Sequence, residues 1–431
     1  MDRRSFLALI VAGFADPSLE PALGVSAPGA PPAPGTPAIP AVPPGPASLT
    51  PSGDPNFDSW LTGFYGRARD AGVPTAVLDR ELAGLTPDSR ASVQDSRQPE
   101  FSKPVGDYIK GVVSEDRIAR GRQFRDGLPY LSAIEQRYGA PREIVLAIWA
   151  MESAFGKIQG DMDVIRSLAT LAADGRRRSW AEGELIASLK IVGSGEAPRS
   201  RLKGSWAGAM GQTQFLPSVF LATAVDGDND GVRDIWGSTA DALFSTGAYM
   251  GKAGWRRGES WAREVILPPG FDYSVVEGPK DTPMGWASKG VKRAGGLPWS
   301  SADQAAQAGL ILPSGAAGPA FLVFPNHMAI RRYNNSTAYA LGVGLLADRF
   351  GGEGPLITPW PYEVPLSLAD RMAAQTALAR VGFDPGAPDG VIGSGTRTAL
   401  RGWQKARGLP ADGYLSIDLV RKLRDEAALP Q

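Results

Sequence analysis

The chain has 431 residues with 45 basic and 45 acidic side chains, so its formal net charge is zero and no nucleic-acid partner or anionic membrane surface is expected. It contains no cysteine and one histidine, His327, which excludes disulfides, a cysteine nucleophile and a lipid-anchored cysteine and argues against a zinc endopeptidase. Any catalysis is therefore expected to depend on carboxylates, hydroxyls or tyrosines.

The N-terminus has the pattern of an export signal. Arg3 and Arg4 precede a short apolar run, Phe6 to Ala15, which is too short to span a bilayer. The order Arg-Arg-x-Phe-Leu resembles a twin-arginine signal, and an ordinary secretory signal with a basic start is the alternative. We assign residues 1–30 to the signal and the Pro- and Ala-rich residues 31–55 to an extended tether. With no other stretch apolar enough to span a membrane, the mature protein is expected to be soluble, periplasmic and not lipid-anchored.

Helical periodicity begins near Phe57 and dominates most of the chain. Residues 114–138 are predicted to form one helix closed by Gly139, and the next helix is predicted from Pro141 to about Ser153. Strand signals are few. Prolines predict loops rather than a regular sheet at Pro217, Pro268, Pro269, Pro298 and Pro313.

The helix that ends near Ser153 carries a glutamate on an apolar face. Residues 144–151 are almost continuously apolar, and Glu152 lies four positions after Ile148. Desolvation by apolar neighbours raises the pKa of a carboxyl group, which suits a general acid near neutral pH. The alternative is a buried structural glutamate paired with Arg176 or Arg177, and the helix alone does not decide between the two.

Three blocks of sequence bear on that choice: Trp149–Gly156, Lys203–Ser218 and Arg332–Ala340. Their content and order resemble the membrane-bound lytic transglycosylase B family, whose first signature is Trp-Gly-x-Glu-(Ser/Thr)-x-aromatic-Gly. The resemblance extends from about Asp107 to Phe350 and weakens from Trp255 to Phe324. It implies a mainly α fold with a lysozyme-like catalytic domain, which we place at residues 56–350.

The resemblance also implies the chemistry. The family cleaves the β-1,4 bond between N-acetylmuramic acid and N-acetylglucosamine in peptidoglycan, and the muramyl C6 hydroxyl forms a 1,6-anhydro end. Glu152 would serve as acid and then as base, with no cofactor for the chemistry. Eight further positions match substrate-contacting residues of the family: Tyr108, Arg176, Arg177, Ser205, Gln214, Tyr249, Asn334 and Tyr339. A lysozyme-type muramidase, which usually needs a second carboxylate, and a non-catalytic peptidoglycan-binding scaffold are the alternatives.

The segment from Ala224 to Trp236 has a pattern typical of a calcium loop. Oxygen ligands at alternate positions followed by glycine at the sixth are how an EF-hand loop begins, but Gly237 stands where the closing glutamate is usual. The family resemblance implies that a later acid closes the loop. A structural Ca²⁺ is therefore predicted in a small insertion, with Asp226, Asp228, Asp230, Val232 and Asp241 as ligands.

The last part of the chain is predicted to be a separate module. Residues 351–365 are rich in Gly and Pro and are assigned to an interdomain linker, and residues 366–427 to a unit of about three helices. Asp389-Gly390 and Asp412-Gly413 form Asp-Gly turns before helices. This pattern resembles the peptidoglycan-binding domain type 1, which implies glycan strands of the wall as partner. A three-helix bundle without a ligand is the alternative.

Overall fold

The computed structural model describes residues 49–96 and 103–428. The predicted signal, residues 1–30, and the predicted tether up to residue 48 lie outside the described residues. Two compact bodies make up the described chain. The first contains residues 49–96, 159–222 and 232–237, and the second contains residues 103–158, 223–231 and 238–428.

Helices form most of both bodies, as predicted. In chain order the described α-helices are α1 (Pro55–Asp70), α2 (Thr75–Leu82), α3 (Ser89–Ser96), α4 (Val105–Val112), α5 (Glu115–Gly127), α6 (Leu131–Tyr138), α7 (Arg142–Ser153), α8 (Val164–Asp174), α9 (Arg178–Gly193), α10 (Pro217–Thr223), α11 (Thr239–Lys252), α12 (Pro283–Ser288), α13 (Ser301–Ala305), α14 (Pro325–Tyr333), α15 (Thr337–Gly351), α16 (Leu368–Arg380), α17 (Ser394–Ala406) and α18 (Ile417–Glu426). Within the described ranges, no helix is both long and apolar enough to cross a bilayer.

The strands form one short pair and one small sheet. They are β1 (Met162–Asp163), β2 (Lys203–Gly204), β3 (Ala262–Ile266), β4 (Lys292–Arg293), β5 (Gly309–Ile311) and β6 (Ala320–Val323). Strands β1 and β2 pair antiparallel, and the other four form an antiparallel sheet in the order β4-β3-β6-β5. In that sheet Ala262 faces Val323, and Leu310 faces Leu322.

The first body is built around α8 and α9, which pack against each other. Helices α1 and α3 pack on α8, and α2 packs on α9. The Asp163 side chain caps the start of α8, and left-handed Gly175 ends it. Trp60 and Arg67 of α1 both donate hydrogen bonds to Glu182 of α9, at 2.8 and 2.7 Å. These contacts tie the N-terminal helix to the centre of the body.

Helix α7 forms the centre of the second body. Helices α5, α6, α11 and α15 pack around it, and every residue from Ile144 to Ser153 is buried. A helix that is apolar on all sides is stable only when it is buried on all sides. Gly121 of α5 allows the closest approach, since a Cβ there would lie 2.0 Å from the Phe350 ring of α15. The chain leaves α7 through left-handed Ala154, so Glu152 lies in the last turn.

The prediction of one helix over residues 114–138 was wrong. Ser114 caps α5 as a helix start, but the chain becomes extended at Leu128 and resumes as α6 after Pro129. Proline disfavours helical conformation at the residue before it and removes a backbone donor, so the helix is interrupted there. Gly139 closes α6 in the left-handed conformation, as predicted, and Pro141 is the cap residue of α7.

The prediction of loops instead of a sheet was wrong for residues 262–323. Pro268, Pro298 and Pro313 do lie outside strands, but they separate the strands of one sheet. Pro217 is the first residue of α10, a position where its missing N–H costs little. The sheet has its own apolar core, which includes Val265, Trp286, Leu310, Leu322 and Phe324.

The C-terminal residues form the predicted three-helix module. Helices α16, α17 and α18 enclose an apolar cluster that includes Leu378, Leu400, Trp403 and Leu423. The module also contacts the sheet region of its own body. Asp412 accepts a hydrogen bond from the backbone N–H of Ala316 at 2.8 Å, and Glu277 pairs with Arg397 at 2.8 Å.

Candidate active site

Glu152 is the centre of the candidate site and is 1% exposed. The Tyr339 hydroxyl donates a hydrogen bond to Glu152 Oε1 at 2.5 Å. Tyr339 lies in the first turn of α15, where the Ser336 side chain accepts from the Tyr339 backbone N–H at 3.2 Å. This cap stabilises the first turn of α15, and that turn places the Tyr339 phenol against the Glu152 carboxyl group.

Burial determines the electrostatics of this pair. It raises the pKa of Glu152 to about 8, and the hydrogen bond from Tyr339 opposes the rise. Burial and the charge of Glu152 hold the pKa of Tyr339 well above its usual value, so its hydroxyl remains a donor. At pH 7 a group with a pKa of about 8 is protonated in roughly nine of ten molecules. Glu152 can therefore both donate and accept a proton near neutral pH.

Three more tyrosines surround the carboxyl group within the second body. Burial raises the pKa of Tyr108, Tyr249 and Tyr333, for Tyr249 to about 12, and the charge of Glu152 adds to each rise. The rings of Tyr249 and Tyr333 meet edge to face with centroids 4.7 Å apart. Tyr249 also donates to the backbone carbonyl of Arg332. The structure thus brings Tyr108, Tyr249 and Tyr339 together around Glu152.

Tyr333 is a member of this group that the sequence reasoning did not single out. It ends α14 and is fully within the third sequence block, next to Asn334. Asn334 is 3% exposed and lies at the end of the same helix. The signal was present in the block, which contains two tyrosines, Tyr333 and Tyr339, but only Tyr339 was assigned a role.

Four predicted substrate contacts lie in the first body, and two of them are Ser205 and Gln214. The backbone N–H and side-chain oxygen of Ser205 close a turn with Ala209, at 2.8 and 3.1 Å. Gln214 has a left-handed backbone and donates to the carbonyls of Gln159 and Gly211, at 3.0 and 2.9 Å. Its buried Oε1 accepts no hydrogen bond from the described residues. An unsatisfied buried acceptor lowers the stability of the fold, so packing does not explain this arrangement. The approach of these two side chains to Glu152 stays a prediction.

Arg176 and Arg177 both form ion pairs with Asp95 of the first body, Arg176 at 2.5 Å. Arg177 also lies over the ring of Trp206, 5.4 Å from its centre. Within each body, then, both arginines pair with Asp95, and the Glu152 carboxyl accepts from Tyr339. The predicted contact of the two arginines with a substrate carboxylate stays a prediction.

The acidic loop of the second body brings three carboxylates together. One oxygen each from Asp226, Asp228 and Asp230 lies within 4.8 Å of the others. Asp226 accepts from the backbone N–H of Gly231 at 2.8 Å, and Asp228 accepts from the Ser238 hydroxyl at 2.6 Å. Carboxylates this close repel one another unless a cation is shared, and oxygen ligands are those that Ca²⁺ prefers.

The two remaining predicted ligands differ in position. Asp241 is completely buried, and its Oδ1 accepts from the backbone N–H of Gly227 at 2.7 Å. It therefore closes the loop through the backbone. Val232 belongs to the first body and is 41% exposed, so its backbone ligation stays a prediction.

Comparison with known proteins adds independent information. Residues 56–348 match the transglycosylase SLT domain family, and residues 367–423 match a peptidoglycan binding domain. The chain is 32% identical over 254 residues to the membrane-bound lytic murein transglycosylase B of Escherichia coli K12. That match covers 56% of this chain and 66% of the relative, just under two thirds of its length.

Solved structures resemble the chain over most of its length. SltB3 from Pseudomonas aeruginosa, in complex with NAG-anhNAM-pentapeptide, is 46% identical with a TM-score of 0.82, covering 86% of this chain and 100% of that one. SltB1 of the same organism is 28% identical, with a TM-score of 0.60 over 68% of this chain and 98% of its own. Slt35 of Escherichia coli, in complex with calcium, is 28% identical, with a TM-score of 0.56 over 69% and 93%. The predicted mainly α, lysozyme-like fold is confirmed.

Proposed function

The chain belongs to the transglycosylase SLT domain family, and from this membership we propose that it is a periplasmic lytic transglycosylase that cleaves peptidoglycan glycan strands. The single observation that carries the proposal is the buried Glu152, with a pKa of about 8 and a hydrogen bond from Tyr339. The catalytic domain, residues 56–350, would cut the glycan. The C-terminal module, residues 366–427, follows the linker at residues 351–365 and would bind the wall.

Glu152 acts first as an acid. Its proton passes to the glycosidic oxygen as the C1–O bond of the muramyl residue breaks and N-acetylglucosamine departs. A raised pKa keeps that proton available at neutral pH, where an ordinary glutamate would be ionised. The substrate N-acetyl group stabilises the oxocarbenium-like state from within the sugar.

The same carboxylate then acts as a base. It takes the proton of the muramyl C6 hydroxyl as O6 attacks C1, which closes the 1,6-anhydro ring and consumes no water. A hydrolase would need a second carboxylate as nucleophile or to activate water. The pKa of Glu152 supports a mechanism with a single carboxylate. Within the described chain its shift has two causes, burial and the hydrogen bond from Tyr339, and neither is a second carboxylate. Further proposed substrate contacts are Tyr108, Arg176, Arg177, Ser205, Gln214, Tyr249 and Asn334.

Product analysis tests this function. Mature protein is incubated with purified peptidoglycan in ¹⁸O-labelled water, and the released muropeptides are weighed by mass spectrometry. We expect ends that are lighter by one water and carry no label. Labelled reducing ends would establish a muramidase instead, and wall binding without release would establish a scaffold.

We also propose that the loop of Asp226, Asp228 and Asp230 binds a structural Ca²⁺. Ligand binding to the folded state stabilises it by about 2.7 kcal/mol at 100 times Kd. A chelator is therefore expected to lower the melting temperature by several degrees, with a smaller effect on activity measured well below that temperature.

Differential scanning calorimetry with and without EDTA measures the shift. Asp226→Asn should melt low with or without chelator, whereas Asp418→Asn, on the exposed face of α18, should respond like the original protein. A melting temperature that EDTA leaves unchanged in the original protein removes the calcium proposal.

A further inference from the structure

A cavity of about 520 Å³ lies in the second body near the end of α15. Its volume falls within the range of sites for small molecules. The cavity is separate from the Glu152 carboxyl group: Asp348, which lines it, follows Tyr339 by nine residues on α15, or roughly 13 Å along the helix axis.

The linker forms one wall of this cavity. Glu264 accepts hydrogen bonds from the backbone N–H groups of Ile357 and Thr358, at 2.8 and 2.7 Å. The Trp360 ring stacks on buried Phe321, with centroids 6.3 Å apart. Gly106 leaves room for Trp360, since a Cβ there would lie 2.8 Å from the tryptophan Cβ. Part of the linker is therefore a fixed wall of a site.

Two arginines that line the cavity, Arg263 and Arg293, have guanidinium N–H groups that donate no hydrogen bond within the described residues. Among the described residues, the Arg263 guanidinium makes one hydrogen bond, to the carbonyl of Ala262 at 3.3 Å. Arg293 donates to the carbonyl of Pro298, lies over Trp299 and forms no ion pair within the described ranges. Burial, and then the charge of Arg263, lower the pKa of Arg293. This pair of cations lacks a carboxylate at hydrogen-bonding distance.

Carboxylates line the same cavity beside the arginines. Asp348 accepts from the indole N–H of Trp261 at 3.0 Å, and it lies 3.6 Å from Arg263. Glu353 also lies 3.6 Å from Arg263 and is half exposed. At 3.6 Å these groups attract the arginine without a hydrogen bond. Burial, and then the charge of Glu353, raise the pKa of Asp348 to about 7, and a cation bound beside it would favour its ionised form.

We propose that the cavity binds the zwitterionic diamino-acid residue of a peptidoglycan stem peptide, with a carboxylate on Arg263 and Arg293 and the ammonium group on Asp348 and Glu353. The aromatic wall would cover its methylene chain. A peptide of three to five residues extends to about 10–17 Å. This range includes the separation of roughly 13 Å between Tyr339 and Asp348 along α15. The inference rests on the proposed function, which places the muramyl residue that bears the peptide at Glu152.

Isothermal titration calorimetry of the full chain tests the site with sugar-free peptides, which no glycan cleavage can alter. The probe is L-alanyl-γ-D-glutamyl-meso-diaminopimelate. Its control ends in lysine, which keeps the ammonium group and lacks the second carboxylate. We expect the lysine peptide to bind at least tenfold more weakly, because charged hydrogen bonds contribute strongly in partly buried sites.

Matched variants locate the binding. Arg293→Gln should weaken the diaminopimelate peptide at least tenfold, and Arg421→Gln, which removes an exposed arginine of α18, should leave it unchanged. No binding by the original protein, or equal binding of both peptides, overturns the site even if anhydro-products form. Peptide binding without any glycan cleavage would instead refute the proposed function and leave the cavity as a peptide site.

Discussion

Glu152→Gln is expected to reduce the release of anhydro-muropeptides about 1,000-fold, within the range for loss of a general acid–base group. Glutamine keeps the size and the acceptor for Tyr339 but cannot transfer a proton. Both proposed chemical steps use the Glu152 carboxyl group, so the Tyr339 hydroxyl, its described hydrogen-bond partner, is not expected to replace it. Initial rates on purified peptidoglycan, measured for folded protein, give the ratio.

The matched control is Glu184→Gln. Glu184 is also buried, with a pKa raised by burial, but its carboxyl accepts from the backbone and hydroxyl of Ser218 in the first body, at 2.9 and 2.7 Å. That variant should lose some stability and keep most activity at a temperature where it is folded. Equal rates for Glu152→Gln and the original protein would contradict the assignment of the acid.

The second large effect concerns stability and pH. In the unfolded chain Glu152 loses its proton near pH 4.5, whereas the folded protein holds it to about pH 8. Between these values the folded state binds more protons, so its stability falls as pH rises, by about 1.4 kcal/mol per pH unit. Titration of Glu152 is therefore expected to lower the free energy of unfolding by roughly 3 kcal/mol between pH 4 and pH 7.

Glu152→Gln removes this titration. Its free energy of unfolding, relative to that of the original protein, should therefore increase by about 3 kcal/mol between pH 4 and pH 7. Urea unfolding at several pH values measures the change. Tyr339→Phe provides the matched variant. It removes the hydrogen bond that opposes the effect of burial on the pKa of Glu152, so this pKa rises and the loss of stability with increasing pH should continue to higher pH. A difference that does not vary with pH would contradict burial as the cause.

The apolar composition of its helix predicted that Glu152 is buried, and the family resemblance of the surrounding blocks gave it the role of the acid. Continuous burial of residues 144–153 is what that composition requires, and Gly139 and Ser114 marked helix ends correctly. The prediction of one helix over residues 114–138 gave no weight to Pro129, which divides it. Local turn chemistry outweighed the pattern there.

The sheet was missed for a different reason. Strand β4 has two residues, β5 three and β6 four, which are too short to show alternation. The fixed part of the linker was equally hidden, since Glu264 holds the backbone N–H groups of Ile357 and Thr358 and no side-chain pattern records that. The place of Tyr333 beside Glu152 likewise depends on tertiary packing.

The most direct test of the account is the protonation of Glu152 itself. Carbon-13 NMR of protein labelled at the glutamate carboxyl carbons follows each group through pH, and the resonance absent from Glu152→Gln identifies this one. We expect a titration midpoint near pH 8, as burial against the tyrosines requires. A midpoint near 4.5, the ordinary value, would show an ionised carboxylate at neutral pH and contradict its role as the acid.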